Sequence, residues 1–383
     1  MYFRLQITVI QSLQTYLNSY KYLGLFKSNS NQFGFENILL LSNSFKQNNA
    51  NHNNLQLCFL NYDFKNHIET FPDKKNNPLN FPDQLYIDVE KCILLNDLII
   101  ENSQLEKHPI NFKATISKED YLEKVNALKK HIQQGDIYEI NFCMTFEAHS
   151  VKIDPLTIYK KLNDISHASY SALAKFDHQY IISSSPELFI KKQGDTLITK
   201  PIKGTSKRGS SIEEDDILKQ KLHQNIKERN ENVMIVDVAR NDLSRIAQKG
   251  SVKVNQLYHI ETYQQVHQMV STISCQIKKS TSFNDIIQAT FPMASMTGAP
   301  KIRAMQLIDE YELYNRGPYS GALGYIKDNG DFDLNVLIRS IFYDEKKQYL
   351  SFTVGSAITA MCHAEDEYEE CLLKAKAMMT ALS

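Results

Sequence analysis

Residues 179–204, QYIISSSPELFIKKQGDTLITKPIKG, constrain the fold of this chain strongly. Two runs rich in Ile, Leu, Phe and Thr flank Gln193, Gly194 and Asp195, which is the pattern of a β-hairpin. A hairpin joins antiparallel neighbours, whereas a doubly wound parallel sheet needs a crossover, usually a helix, between successive strands. We therefore expect antiparallel sheets.

Helical and strand patterns follow one another without regular alternation in the rest of the chain. Ser117 with Asp120 predicts the start of a helix that ends at Gly135. Two more segments, 231–247 and 367–382, have helical character. Three segments, 321–326, 334–343 and 348–355, have strand character. The predicted fold class is α+β, with antiparallel β-sheets packed in a sandwich-like core flanked by helices.

The sequence changes character near residue 110. The first hundred residues are rich in Asn, as in SNSNQ and QNNANHNN, and these stretches predict polar loops between short strands such as 35–42 and 84–90. We predict an N-terminal region, residues 1–110, that packs on a catalytic domain, residues 111–383.

The composition is that of a globular protein with no sign of a membrane or nucleic-acid partner. The chain has 383 residues and a formal net charge of −1, so a general affinity for polyanions is not expected. No apolar run approaches the ~20 residues that span a bilayer, and the first residues lack a signal pattern. The six cysteines form no CxxC pair, which predicts a reducing, cytoplasmic location.

Two pairs of glutamates stand three residues apart on predicted helices: Glu228 with Glu231, and Glu367 with Glu370. Residues at this spacing share a helix face, so each pair directs its oxygens to one place. A hard cation such as Mg²⁺ binds oxygens of this kind. Solvated helix faces give the same spacing, and the pattern alone leaves both interpretations open.

Two further segments carry groups that suit an anion. In MTGAPKIRAM, residues 296–305, Pro300 suits the first turn of a helix and leaves the amides of 297–299 available to an anion. Arg339 interrupts the apolar run 334–343 and needs a carboxylate, either from the protein or from a bound substrate.

The predicted hairpin brings Glu187 opposite the segment that contains Lys203, so both side chains would face one pocket. Lysine is a nucleophile only when neutral, which requires its pKa to fall from ~10.4 toward ~7–8. Burial would lower the pKa, helped by nearby cations such as Lys200, Lys207 and Arg208. The alternative is an ordinary solvated turn.

Taken in order, these segments are similar to those of the chorismate-utilising enzymes, and among them the aminodeoxychorismate synthases. The resemblance covers roughly residues 112–383. It is carried by GDIYEINFC, SSSPELFI, PIKGTSKRG, ENVMIVDVARNDLSRIAQKGSVKV, MTGAPKIRAMQLIDE, RGPYSGALGYI, IRS and the acidic final helix.

The resemblance implies a Mg²⁺ cofactor on the two glutamate pairs. Glu231 and Glu370 would be direct ligands, and Glu228 and Glu367 would act through water. The resemblance also implies a set of residues that hold chorismate, namely Thr297, Lys301, Tyr325, Arg339, Ala357 and Lys374.

The mechanism proposed for the family implies catalytic roles for Lys203 and Glu187. Lys203 would attack C2 of the chorismate ring while Glu187, as general acid and then base, protonates the departing C4 hydroxyl. Ammonia would then add at C4 and expel the lysine, which gives 4-amino-4-deoxychorismate, a precursor of p-aminobenzoate and folate. Glu139 occupies the position of a water-activating lysine in isochorismate synthases, so the addition of water is disfavoured.

The source of ammonia lies outside this sequence. No cysteine is flanked by glycines in the manner of a glutaminase nucleophile. Ammonia would therefore come from a separate glutamine amidotransferase subunit or from free solution.

Two alternatives remain open. The first is anthranilate synthase component I. Lys203 argues against it, and so does Gln268, which stands where those enzymes have histidine. The neighbouring His267 would point to the opposite face of its strand and could not replace that histidine. The second is a non-catalytic chorismate- or metal-binding homologue.

The sequence departs from the family pattern at two alanines. Ala294 stands where the family commonly has glycine, and Ala357 stands at the end of a GxG-like element. Alanine narrows the backbone freedom at both positions.

Overall fold

The computed structural model describes residues 12–30, 33–45, 50, 54–71, 77–95, 110–263 and 266–383. Two antiparallel sheets form its core, and helices pack against them, so the predicted α+β sandwich is confirmed. The hairpin at Gly194 joins antiparallel neighbours, as its turn residues indicate.

The strands of the described residues in chain order are β1 (Tyr22–Lys27), β2 (Ile38–Ser42), β3 (Gln56–Leu60), β4 (Gln84–Asp88), β5 (Lys91–Leu94), β6 (Lys113–Ala114), β7 (Glu139–Ala148), β8 (Tyr170–Phe176), β9 (Gln179–Ser185), β10 (Leu188–Gln193), β11 (Thr196–Lys200), β12 (Ile202–Lys207), β13 (Lys253–Thr262), β14 (Val266–Gln276), β15 (Gly298–Ala299), β16 (Ala322–Ile326), β17 (Phe332–Val336), β18 (Ser340–Asp344) and β19 (Tyr349–Thr359). The first sheet has the order β15-β7-β19-β18-β9-β8-β1-β2-β5, with β6 beside β7. The second sheet has the order β12-β14-β11-β10-β17-β16-β3-β4, with β13 beside β14.

The α-helices of the described residues are α1 (Leu13–Ser19), α2 (Lys118–Gln134), α3 (Pro155–Ser166), α4 (Ile212–Gln224), α5 (Ile226–Ser244), α6 (Phe283–Thr290), α7 (Lys301–Tyr311) and α8 (Ala364–Leu382). Short 3₁₀ helices cover Tyr62–His67 and Ala294–Met296. As predicted, the Ser117 side chain accepts a hydrogen bond from the Asp120 amide at the start of α2, and Gly135 ends this helix in the left-handed conformation. Within the described residues no helix combines the length and the apolar character that crossing a membrane requires.

Side chains of the first sheet alternate between two apolar layers. In β8, Ala172 and Ala174 join the cluster between the sheets, while Leu173 joins the cluster under the helices. In β18, Phe342 joins the cluster between the sheets and Ile341 joins the cluster under the helices. Because successive strand residues point to opposite faces, a strand with both faces covered is apolar throughout.

Strands from the first hundred residues belong to both sheets. β1, β2 and β5 extend the first sheet from β8, and β3 and β4 extend the second sheet from β16. The predicted strands 35–42 and 84–90 contain β2 and β4. The predicted loop QNNANHNN, apart from Ala50 and Asn54, and the end of SNSNQ lie outside the described residues. The boundary between residues 110 and 111 stays a prediction.

The chain passes between the sheets at two adjacent points, 184–188 and 336–340, which we call the double corner. β9 and β18 pair in the first sheet, and β10 and β17 pair in the second. The Ser184 amide donates to the Arg339 carbonyl, and the Val336 amide donates to the Glu187 carbonyl. These hydrogen bonds hold the two crossings side by side.

The prediction of one strand over 334–343 was wrong. The segment contains the end of β17, the corner and the start of β18, and Arg339 lies between the strands with φ 49°. This left-handed conformation is uncommon outside glycine. The apolar pattern does not reveal the corner because the corner is covered by both sheets and is therefore apolar as well.

Candidate functional site

Glu187 lies at the double corner, with only 3% of its surface exposed. Its Oε1 atom accepts hydrogen bonds from the Ile202 amide at 3.2 Å and from the Ser295 hydroxyl at 2.8 Å. Burial raises the pKa of this carboxyl to about 7, although both hydrogen bonds act in the opposite direction. A carboxyl that titrates near neutral pH is suited to give and to take a proton.

Lys203 follows Ile202 in β12, and its Nζ atom lies 2.6 Å from Oε1 of Glu139. Burial by itself lowers the pKa of Lys203, but the charges of Glu139 and Glu231 outweigh burial and raise this pKa above its ordinary value. The amine is therefore charged in this arrangement. The low pKa expected from the sequence is not found.

Of the three cations expected to lower the pKa of Lys203, Lys207 is exposed to solvent and the other two have carboxylate partners of their own. Lys200 pairs with Glu261 at 2.6 Å, and Arg208 pairs with Asp215 at 2.7 Å. Their charges are largely compensated by these partners, so the field at Lys203 is governed by acids.

The two glutamate pairs come together from α5 and α8. Lys227 lies between them, with its Nζ atom 3.2 Å from Glu367 Oε1 and 3.9 Å from Glu231 Oε1. On the far side, Lys374 pairs with Glu370 at 2.6 Å. The predicted convergence of the four acids is present. Part of their charge is neutralised by Lys374, as the sequence interpretation expected, and by Lys227, which it did not assign to the site.

Burial shifts the pKa values of these acids in an environment where carboxylates repel one another. It raises the pKa of Glu231 to about 7 and raises those of Glu228 and Glu367. Burial acts in the same direction on Glu370, but the charge and hydrogen bond of Lys374 prevail and lower its pKa. Glu370 is thus the member of the set that holds its negative charge most firmly.

The charge balance of the site favours a cation. Six carboxyl groups and four cations interact here, namely Glu139, Glu187, Glu228, Glu231, Glu367 and Glu370 with Lys203, Lys227, Lys374 and Arg339. If all ionise, two negative charges are uncompensated. Oε1 of Glu231 is buried and accepts no hydrogen bond from the described residues, which suits an atom that ligates a metal.

The described residues nevertheless contain no preformed group of three or more histidine, cysteine, aspartate or glutamate side chains with metal-binding geometry. In this arrangement Lys227 and Lys374 form ion pairs with the carboxylates. The donor set fits Mg²⁺ chemically, and binding requires Lys227 to move away from Glu367 and Glu231.

Thr297 and Ala357 lie on either side of Asn141, two residues along β7 from Glu139. Glu139 is opposite Ala299, and Asn141 is opposite Ala357. The amide of Asn141 donates to the Thr297 carbonyl. The Thr297 amide donates to the Ala294 carbonyl, so it is not free for an anion as the sequence predicted.

Arg339 is half-buried at the double corner and forms no ion pair with the acids of the described chain. Burial lowers its pKa, while the charge of Glu187 acts to raise it. Of the two partners left open for this arginine, a protein acid or a substrate carboxylate, the second fits this environment better.

Two residues predicted to hold substrate have partners elsewhere. Lys301 donates to Asp242 Oδ2 at 2.6 Å and to the carbonyls of Thr290 and Pro292, which accounts for its three N–H groups. The Tyr325 ring packs on Phe26 and Phe35, and its hydroxyl accepts a hydrogen bond from the Glu36 amide. The structure does not bring either side chain into contact with Lys203.

Sequence interpretation missed three contributors to the site: Glu139 as the partner of Lys203, Lys227 between the acid pairs, and Ser295 on Glu187. An acid at the start of the apolar strand 139–148 and a lysine four residues before Glu231 were available signals. Ser295 offered no such signal because the turn that contains it meets Glu187 only in the fold.

A sequence profile described as chorismate binding enzyme matches residues 99–380. The chloroplastic aminodeoxychorismate synthase of Arabidopsis thaliana is 40% identical over 289 residues, which are 74% of this chain and 31% of that protein. Anthranilate synthase component 1 of Acetivibrio thermocellus is 37% identical over 277 residues, 72% of this chain and 56% of that protein. These matches span less than two thirds of either relative.

The fold is shared with a solved structure. The crystal structure of anthranilate synthase component I from Streptococcus pneumoniae TIGR4 superposes with a TM-score of 0.76 and 24% identity, over 98% of this chain and 94% of that one. At this identity the likeness concerns the fold. The two relatives differ in activity but have nearly the same identity to this chain, so overall similarity does not separate the two activities.

Proposed function

This chain belongs to the chorismate-binding enzyme family, and on that premise we propose that it aminates chorismate at C4 to give 4-amino-4-deoxychorismate. The observation that carries the proposal is the placement of Lys203 beside Glu187 at the double corner. The backbone amide that precedes Lys203 is bonded to Glu187, so the nucleophile and the proton donor are held in one unit.

Lys203 would attack C2 while Glu187 gives its proton to the departing C4 hydroxyl. Ammonia would then add at C4, the bond from C2 to the Lys203 nitrogen would break, and Glu187 would take the excess proton from the new amine. The raised pKa of Glu187, about 7, supports both proton transfers near neutral pH.

Substrate carboxylates need cations, and Arg339 supplies one without losing a protein partner. Thr297 and Ala357 flank Asn141 of β7, two residues from Glu139, and Lys374 donates to the Gly355 carbonyl of β19. Lys301 and Tyr325 would have to exchange their present partners to reach the substrate, so we assign the binding role chiefly to the other four residues.

Mg²⁺ held by Glu231 and Glu370, with Glu228 and Glu367 in support, would neutralise a substrate carboxylate and favour the allylic shift. The uncompensated charge of the site and the buried Glu231 oxygen that accepts no hydrogen bond from the described residues support this assignment. Ammonia would be provided by a separate glutamine amidotransferase or by solution, and we expect the reaction to take place in the cytoplasm.

Incubation of the purified chain with chorismate, Mg²⁺ and ammonium, followed by chromatography, tests the activity. Formation of 4-amino-4-deoxychorismate supports the proposal. Fluorescent anthranilate would instead identify an anthranilate synthase, although Lys203 and Gln268 argue against that activity. Unchanged chorismate would identify a non-catalytic homologue.

The Glu231→Gln variant is expected to need about 10–100-fold more Mg²⁺ for half-maximal binding, because it removes a charged ligand from the site. Isothermal titration with Mg²⁺ in the presence of chorismate measures this directly. Glu365→Gln, at an exposed position on α8, is the matched control and should bind Mg²⁺ as the unmodified chain does. Equal affinities in the two variants would refute the metal assignment.

A further inference from the structure

Glu139 and Lys203 form a buried pair that the roles assigned above do not explain. Glu139 is 1% exposed, its Oε1 atom is 2.6 Å from the Lys203 amine, and its Oε2 atom has no hydrogen-bond partner among the described residues. β7 carries Glu139 between β15 and β19, and these neighbours fix its backbone. The second carboxylate oxygen is therefore desolvated and available.

Covalent catalysis by Lys203 meets an obstacle in this pair. An ammonium group has no electron pair with which to bond to carbon, and the neighbouring acids keep the amine protonated. A proton must leave Lys203 before or during the attack on C2. The groups whose charges act on Lys203 are Glu139, Glu187, Glu228, Glu231 and Glu370.

Of these acids, only Glu139 is placed to accept the proton. Glu187 must already be protonated to act on the leaving hydroxyl. Glu228 and Glu231 on α5 and Glu370 on α8 belong to the proposed cation site. Glu139 is hydrogen-bonded to the amine, so the transfer needs no movement of heavy atoms and no water.

We propose that Glu139 is the proton acceptor of Lys203, which stores the proton while the lysine is bonded to the substrate and returns it afterwards. This inference rests on the proposed function, because it concerns the same covalent step.

The proton balance closes over one cycle. In the first half, an N–H bond of Lys203 breaks, an O–H bond forms on Glu139, and the freed electron pair forms the bond to C2. The C4–O bond breaks, and Glu187 gives its proton to release water. In the second half, ammonia bonds to C4 and gives a proton to Glu187, the C2–N bond returns its electrons to Lys203, and Glu139 gives back the proton it stored.

One consequence distinguishes this route from loss of the proton to solvent. The Glu139–Lys203 pair carries the same net charge before and after the transfer, so the fraction of molecules with a neutral Lys203 amine does not depend on pH. The first half-reaction should then show only the falling limb that comes from Glu187, which must be protonated and titrates at about 7.

Adduct formation tests the inference. The protein is mixed with saturating chorismate and Mg²⁺ without ammonia, and the Lys203 adduct, which has the mass of chorismate less one water, is followed by rapid quench and mass spectrometry from pH 5.5 to 9. In Glu139→Gln the amine must lose its proton to water. We expect adduct formation about 100-fold slower at pH 6, with a rising limb of tenfold per pH unit that is absent from the unmodified chain.

Two further variants complete the design. Glu139→Asp keeps a carboxylate and should show no rising limb, with a rate within about tenfold of the unmodified chain. Glu147→Gln changes another carboxylate of β7, one that accepts a hydrogen bond from Tyr349, and should leave the rate and its pH profile unchanged.

Each outcome decides the matter. A Glu139→Gln variant as fast as Glu147→Gln overturns the inference, and so does one that is slower by the same factor at every pH, since that defect would be structural. A rising limb between pH 6 and 8 in the unmodified chain also overturns it, whether or not the variant folds. Failure of the unmodified chain to make 4-amino-4-deoxychorismate from chorismate and ammonium would remove the proposed function itself, which is a separate result.

Discussion

The Lys203→Gln variant is expected to lose amination by at least about a thousandfold, because it removes the amine assigned to form the bond to C2. Its affinity for chorismate should stay within a few-fold of the unmodified chain, since Arg339 and the metal site remain. Glutamine keeps an N–H donor for Glu139, which avoids leaving a buried carboxylate without a partner. Product formation by chromatography and chorismate binding by titration are the two measurements.

Lys207→Gln is the matched control, because Lys207 ends the same strand but is exposed. It should retain full amination. If Lys203→Gln turned over chorismate at the rate of this control, the covalent route would be wrong, whereas the family assignment would be untouched. Loss of chorismate binding together with turnover would assign Lys203 to substrate binding instead.

The Glu187→Gln variant is expected to form the Lys203 adduct about 10²–10⁴-fold more slowly, the range for loss of a general acid. In the unmodified chain the protonated carboxyl is the active form, so the rate should fall tenfold per pH unit above about 7. That limb should vanish in the variant. Rapid-quench rates over the same pH range measure both effects.

Ser295→Ala is the companion variant, because the Ser295 hydroxyl donates to Glu187 and thereby lowers its pKa. Its removal should shift the falling limb to higher pH without abolishing the reaction. A limb that stayed in place in Ser295→Ala, or that persisted in Glu187→Gln, would show that another group is the acid.

Stability should change in the opposite direction to activity at Glu187. A carboxyl whose pKa is raised by folding contributes stability that is present below its unfolded pKa and is lost as the pH rises through about 7. The shift corresponds to about 3 kcal/mol for this fully buried group. Glutamine carries no charge that must be buried at high pH, so at pH 8 the free energy of unfolding of Glu187→Gln should exceed that of the unmodified chain.

Local patterns in the sequence were sufficient for the parts of the fold that depend on neighbouring residues. The hairpin at Gly194 follows from turn chemistry, and the ends of α2 follow from Ser117 and Gly135. The convergence of the glutamate pairs also followed from the sequence, although the resemblance to a family was needed to choose it over solvated helix faces.

The parts that sequence reasoning missed depend on contacts between distant segments. The double corner is invisible in 334–343 because a buried crossing and a buried strand have the same apolar composition. The charged state of Lys203 depends on Glu139, which lies 64 residues earlier and meets it only through the packing of the sheets. Lys301 has the right charge for a substrate clamp, but Asp242 and two carbonyls engage it.

The distribution of the first five strands over both sheets limits how this protein can be shortened. A fragment that began after residue 110 would expose the backbone of β8, which pairs with β1, and of β16, which pairs with β3. Unprotected strand edges of this kind recruit other chains and aggregate. The Asn-rich opening segment is therefore a solubility requirement for whatever chemistry the remaining chain performs.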